Sequence, residues 1–68
     1  MNKIIEREIS YKLTLAIKNL ENYYTSNQLK MAKNEVWDTL DNMTNEDVEC
    51  ISNNDISEFE YMLERYII

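Results

Sequence analysis

Apolar residues recur every three to four positions through most of this chain, and no stretch alternates with period two for long enough to predict a strand. Taking about 100° per residue from Leu13, the side chains of Ile5, Ile9, Ala16, Ile17, Leu20, Tyr23 and Tyr24 fall within about 80° of one direction. That stripe predicts a long amphipathic helix over residues 2–24. At 1.5 Å per residue it would run about 35 Å, the full length of a small domain. Thr25-Ser26-Asn27-Gln28 then reads as a capping box, in which Thr25 accepts from a backbone N–H while Gln28 reaches back to the cap. The helix it opens carries Leu29, Ala32, Val36, Leu40 and Met43 on one face. Thr44 is the next cap, and Glu46 and Asp47 place acids in a first turn where the helix dipole favours them. The third helix is short, with Val48 and Ile51 inward. Asn53-Asn54-Asp55 ends it, and Asp55 with Glu58 makes a box-like start for a last helix that turns Ile56, Phe59, Met62, Leu63, Tyr66 and Ile67 inward. The expected fold is all-α: residues 1–68 as a single small helical domain, a bundle of three to four helices joined by short connections.

Composition removes most enzymatic readings. The chain has 68 residues with no Gly, no Pro, no His and one Cys. Without Gly there is no phosphate-cradling loop and no dinucleotide-binding fingerprint. Without His the commonest general base and transition-metal ligand are missing. A single cysteine forms neither an internal disulfide nor a cysteine zinc site. Cys50 has Glu46, Asp47 and Glu49 close in sequence, which oppose a reactive thiolate, so it reads as a small, partly buried residue. Asn53, Asp55, Ser57 and Glu64 superficially follow a calcium-loop spacing. The position that needs Gly for its sharp turn is Glu58, however, and the helical stripe over residues 56–67 argues against a loop. Catalysis by paired carboxylates needs a pocket that separates two pKa values, and so small a bundle has little concavity. No catalytic residue, metal or cofactor is expected, and the chain does not read as an enzyme.

Lys3, Glu6, Arg7, Glu8, Lys12 and Lys18 leave no apolar signal region near the start, and no later run approaches a membrane span. The expectation is a cytoplasmic protein, and a lone cysteine suits a reducing compartment. The sequon Asn42-Met43-Thr44 has no secretory context and reads as chance. Nine Asn, eight Ile and five Tyr suggest AT-rich coding DNA, as in a low-GC bacterium or its phage.

Charge is strongly segregated, and this is the most informative feature. Residues 1–34 hold six bases and three acids, whereas residues 35–68 hold one base and ten acids, for a net charge of −6. The bases Arg7, Lys18, Lys30 and Lys33 are too few and too mixed with Glu to make a nucleic-acid stripe, so direct nucleic-acid binding is not expected. An acidic surface with phosphate-like charge density can instead steer onto the basic face of another protein. On the last helix Tyr61 falls about 200° from Phe59, facing water between Glu58, Glu60 and Glu64. Asp38 and Asp41 leave the apolar face of the second helix, and Trp37 sits at its edge. Glu58, Glu60, Tyr61 and Glu64, then Trp37, Asp38 and Asp41, are the expected partner-binding residues.

A second apolar line remains. Ile4, Tyr11 and Leu15 lie roughly 160–200° from Leu13, although a surface helix ordinarily has one stripe. They form a candidate docking or dimer seam. By analogy of class, size and acidity resemble phage-type inhibitors and nuclease-immunity proteins. The sequence therefore predicts a small acidic helical protein that occludes a basic, nucleic-acid-handling partner as an inhibitor, with the acidic face as a candidate nucleic-acid mimic. The alternative is a self-associating structural or adaptor module, a homodimer through the second line of helix one.

Overall fold

The structure, a computed structural model, describes residues 1–67 and consists of four helices with no strand among them. They are α1 (Lys3–Leu20), α2 (Ser26–Asp41), α3 (Asn45–Ser52) and α4 (Ile56–Arg65). The all-α bundle expected from periodicity is therefore the fold.

Every helix starts on a side-chain cap. The Asn2 side chain accepts from the Ile4 N–H at 2.7 Å, Thr44 from Asp47 and Asp55 from Glu58. At Thr25 both halves of the capping box form: Gln28 N–H donates to Thr25 Oγ1 at 3.2 Å, and Thr25 N–H donates to Gln28 Oε1 at 2.9 Å. Each cap satisfies an N–H that has no partner within its helix. Asp55 makes the forward half of its expected box and bonds Ser57 Oγ in place of a reciprocal bond from the Glu58 side chain.

Capping also corrects the first helix. It was expected over residues 2–24, but its helical residues end at Leu20 and residues 21–23 form a turn. Thr25 must be extended to cap α2, with φ −73° and ψ 160°, so the chain has to leave helical geometry before it. The N–H groups of Tyr23 and Tyr24 both close onto Leu20 O, tightening the end. Tyr23, expected on the inner stripe, consequently faces solvent at 77% exposure, while Tyr24 stays half-buried.

Contacts along the helices give the arrangement. Lys12 meets Ser52 and Asn54, Asn19 meets Glu60 and Tyr24 meets Glu64, so α4 runs parallel to α1. Near the start of α1, Met1, Asn2 and Ile5 share a cleft with Asn45, Val48 and Glu49, which places α3 on the same track. Ile17 and Glu21 face Leu29 and Lys30, while Met1 and Glu6 face Trp37 and Asp41, so α2 is antiparallel. The molecule is thus three rods, the third broken at residues 53–55 into α3 and α4. Its longest dimension is 32 Å.

The core is one layer between the rods. Ile9, Leu13, Ala16 and Leu20 from α1 meet Leu29, Ala32, Val36 and Leu40 from α2, Val48 from α3, and Phe59 and Leu63 from α4. Ala16 and Ala32 are fully buried, and their small size lets neighbouring rods approach. Ile5, Ile17, Met43, Ile51, Ile56, Met62, Tyr66 and Ile67 close the edges as half-buried residues. Ser52 is the one buried polar residue among those described, and its hydroxyl donates to Glu49 O at 2.6 Å. Burying it without a partner would be costly.

The break in the third rod is held from α1. Lys12 Nζ donates to Ser52 O at 2.6 Å and to Asn54 O at 2.7 Å, and lies 3.4 Å from Glu8. A charged donor is thereby supplied to carbonyls left over where α3 ends.

Candidate protein-binding surface

The third rod carries the acidic surface. Between Asn45 and Arg65 the chain holds seven carboxylates (Glu46, Asp47, Glu49, Asp55, Glu58, Glu60 and Glu64) and one base, Arg65. Glu60 is half-buried and the other six residues are exposed. The one ion pair among the described residues joins Glu8 to Lys12 within α1, so none of these seven forms a direct ion pair there, although the Lys12 charge also favours the Asp55 anion.

Helix periodicity explains the display. Phe59 and Leu63 set the inward direction of α4, and Glu58, Tyr61 and Arg65 fall opposite. Tyr61 is 69% exposed. Cys50 corrects an expectation of partial burial, because it is exposed. It stands two residues after buried Val48, about 200° around a short helix, on the solvent side.

Two of the acids are also structural. Glu60 Oε2 accepts from Asn19 Nδ2 at 3.2 Å, and Glu64 Oε2 accepts from the Tyr24 hydroxyl at 2.8 Å. These bonds stitch α4 to the end of α1, and they fix the position of both carboxylates. The Tyr24–Glu64 bond raises the Tyr24 pKa above its ordinary 10.0, since the hydroxyl proton sits against a carboxylate. Asp55 is held below its ordinary 3.8 by the hydroxyl of Ser57 and then by the Glu58 N–H, both of which favour the anion. Asn19 and Tyr24 were not anticipated as holders of the acidic face. Their partners lie about 40 positions away, and no local spacing signals such a pair.

The expected partner-binding residues divide between two places. Glu58, Glu60, Tyr61 and Glu64 share α4. Trp37 and Asp41 instead lie beside Met1 and Glu6, around a shallow cleft of about 210 Å³ between α2 and α1. Glu6 and Ile17, which mark the α2 side of α1, are about 140° around that helix from Lys12 and Asn19, which mark its α4 side. Trp37 is half-buried at the core edge, Asp38 is exposed on the outer side of α2, and neither joins the α4 group.

The second apolar line of α1 is displayed. Ile4 is 78% exposed and Tyr11 63%, while Leu15 is half-buried. All three lie about 50–90° past the α1–α4 seam on the side away from the core. By the same geometry Tyr61 lies about 80° past that seam from the α4 side. Tyr11, Leu15 and Tyr61 therefore flank one seam, with Glu60 and Glu64 along it.

No helix among the described residues is long and apolar enough to cross a membrane. Comparison with protein-family models, with curated proteins and with solved structures gave no match.

Proposed function

We propose that this protein binds another protein through its acidic third rod and works by occlusion, covering a basic surface that the partner uses to handle nucleic acid. The supporting observation is the row of seven carboxylates between Asn45 and Arg65, displayed on one rod with none of them in a direct ion pair among the described residues. Such a row attracts Lys- and Arg-rich surfaces over several ångströms and raises their association rate at low ionic strength. A bound helical bundle then excludes the nucleic acid sterically. Of the candidate residues, the α4 set of Glu58, Glu60, Tyr61 and Glu64 belongs to this surface. Trp37, Asp38 and Asp41 are left to a secondary role.

The test is affinity capture from bacterial lysate in low and high salt, followed by a nucleic-acid binding or cleavage assay on the captured protein. The expected result is a basic nucleic-acid-handling protein whose recovery falls as salt rises and whose activity is blocked. Glu46→Lys, Glu49→Lys and Glu58→Lys together should lose it, and they spare the two stitching carboxylates. Equal capture by this variant at every salt concentration would refute electrostatic occlusion.

A second reading has its own observation, the exposure of Ile4 and Tyr11 on α1. In that reading a second copy covers the line, and Leu15→Glu halves the mass measured by sedimentation. A monomeric wild type at micromolar concentration would end it.

A further inference from the structure

Where the third rod breaks, a cleft of about 260 Å³ opens between α2, α3 and α4. Val36 of α2 is its fully buried floor, and Met43, Ile51 and Met62 wall it as half-buried side chains. On α4 the lining residues Met62 and Tyr66 lie about 120–160° around the helix from Glu60 and Glu64, on the flank away from α1. We infer that this cleft binds a small apolar monocarboxylate, one aromatic ring with a short tail in size, with its carboxylate on Arg65. The inference is independent of the acidic-occlusion reading and goes beyond it.

Volume and walls define the apolar body of the ligand. A protein cavity of about 150 Å³ holds benzene, and pockets for drug-sized ligands start at about 300 Å³. The cleft therefore fits a ring with a few further atoms and is too small for a nucleotide. Tyr66 separates it from a smaller hollow of about 120 Å³ beside Met31 and Ile67, so it is a single compartment and not a groove along the helices. Methionine adapts its shape to an aromatic ring and makes favourable sulfur contacts with it, which suits Met43 and Met62. One wall is fixed from α1: Lys12 holds the Asn54 carbonyl at 2.7 Å, while Asn54 lines the cleft.

The polar lining selects a negatively charged acceptor. Thr39 Oγ1 donates its one proton to Glu35 O at 2.9 Å, so in the 2.9 Å contact between Thr39 and Tyr66 the tyrosine hydroxyl is the donor. Neither hydroxyl has a proton left for a ligand. The remaining side-chain donors on the lining are the Asn54 amide and the Arg65 guanidinium. Arg65 is the one base in residues 35–68, is exposed, and forms no ion pair among the described residues. Its planar fork matches a carboxylate through two parallel hydrogen bonds. No carboxylate is among the lining residues, so an amine finds no counter-charge in the cleft. Glu58 lies two turns before Arg65 on nearly the same side of α4, about 10 Å along the axis. It opposes a doubly charged phosphate more than a singly charged carboxylate.

The experiment titrates the intact protein with hydrocinnamate, its primary amide, phenylpropylamine, acetate and a short peptide ending in Phe, and follows amide NMR shifts. Hydrocinnamate should saturate with a dissociation constant of about 1 mM, as expected for a ligand of about eleven non-hydrogen atoms. Its shifts should concentrate on Thr39, Ile51, Asn54, Met62 and Arg65. The amide should bind at least about fivefold more weakly, and Arg65→Gln should bring hydrocinnamate down to the level of the amide while leaving the amide unchanged. Arg65 is exposed, so the variant should retain its fold, and its circular dichroism verifies this. Acetate, which lacks the apolar body, should not saturate. Absence of saturation by hydrocinnamate would overturn the inference, as would equal binding of the amine or equal affinity in the Arg65→Gln variant. Shifts centred on Lys30 and Lys33 would place the anion in the basic cleft between α1 and α2 and overturn it too. Tighter binding of the peptide would assign the cleft to a protein terminus in place of a free acid, again against the inference. None of these outcomes bears on salt-dependent capture of a basic partner, so the two readings fail separately.

Discussion

The contact that closes the bundle is Lys12 on the broken third rod, and replacing it tests the description of the fold most directly. Lys12→Met keeps the apolar stem and removes the ammonium. Two bonds then vanish, to Ser52 O at 2.6 Å and Asn54 O at 2.7 Å. The Lys12 side chain is 16% exposed, so water replaces the lost donor only in part. Hydrogen bonds to a charged group are worth about 1.5–3 kcal/mol each. Because the two bonds share one donor and the site is partly wet, about 2–3 kcal/mol in total is expected for this variant. A domain of this size has a total stability of about 3–10 kcal/mol, so the loss is a large fraction. In urea titrations followed by circular dichroism, the midpoint should fall by about 2–3 M for a slope near 1 kcal/mol/M, with the slope unchanged. Glu8→Gln is the control, because it removes the ion pair and leaves both carbonyl bonds. The pair spans one helical turn with Glu8 half exposed, and its loss should cost about 0.3–0.5 kcal/mol. A Lys12→Met midpoint no lower than that of Glu8→Gln would refute the argument that the ammonium holds the α3–α4 junction.

Phe59→Ala removes the largest fully buried side chain and should cost about 3–5 kcal/mol, enough to leave much of the population unfolded at 25 °C by circular dichroism. Thr25→Ala breaks both halves of the α2 capping box and should cost about 1 kcal/mol in the same titration. Asp55 has a folded-state pKa below its unfolded value, so its contribution is present above about pH 4 and is lost as pH falls through the folded value. Asp55→Asn should remove that part of the acid dependence of the urea midpoint, and an identical pH profile would contradict the assignment. Tyr24 has the opposite sign, since its proton is held by Glu64: its contribution is present below pH 10.0 and is lost as pH rises through the folded value. In an ultraviolet titration one tyrosine should ionise late, and Glu64→Gln should restore it to the ordinary range.

Local signals made much of this fold legible. Caps at Thr25, Thr44 and Asp55 and the apolar stripes define the helices because both depend on residues within one or two turns. The end of α1 was overshot for a related reason. Apolar periodicity continues through Tyr23 and Tyr24, and only the extended backbone required at Thr25 stops the helix early.

The outward faces of Tyr61, Ile4 and Tyr11 and the acidic second half were also implicit in the sequence, because the helical period assigns each residue a face once the core stripe is known. Which faces meet was decided by tertiary structure. Asn19 with Glu60, Tyr24 with Glu64 and Lys12 with two backbone carbonyls join positions about 40 residues apart. Nothing in the one-dimensional pattern states whether α4 lies beside α1 in parallel or on its other flank. That choice follows from how the stripes of all the rods close on one core. It sets Glu60 beside Asn19 and Glu64 beside Tyr24, and it leaves Trp37 and Asp41 on the α2 side of α1.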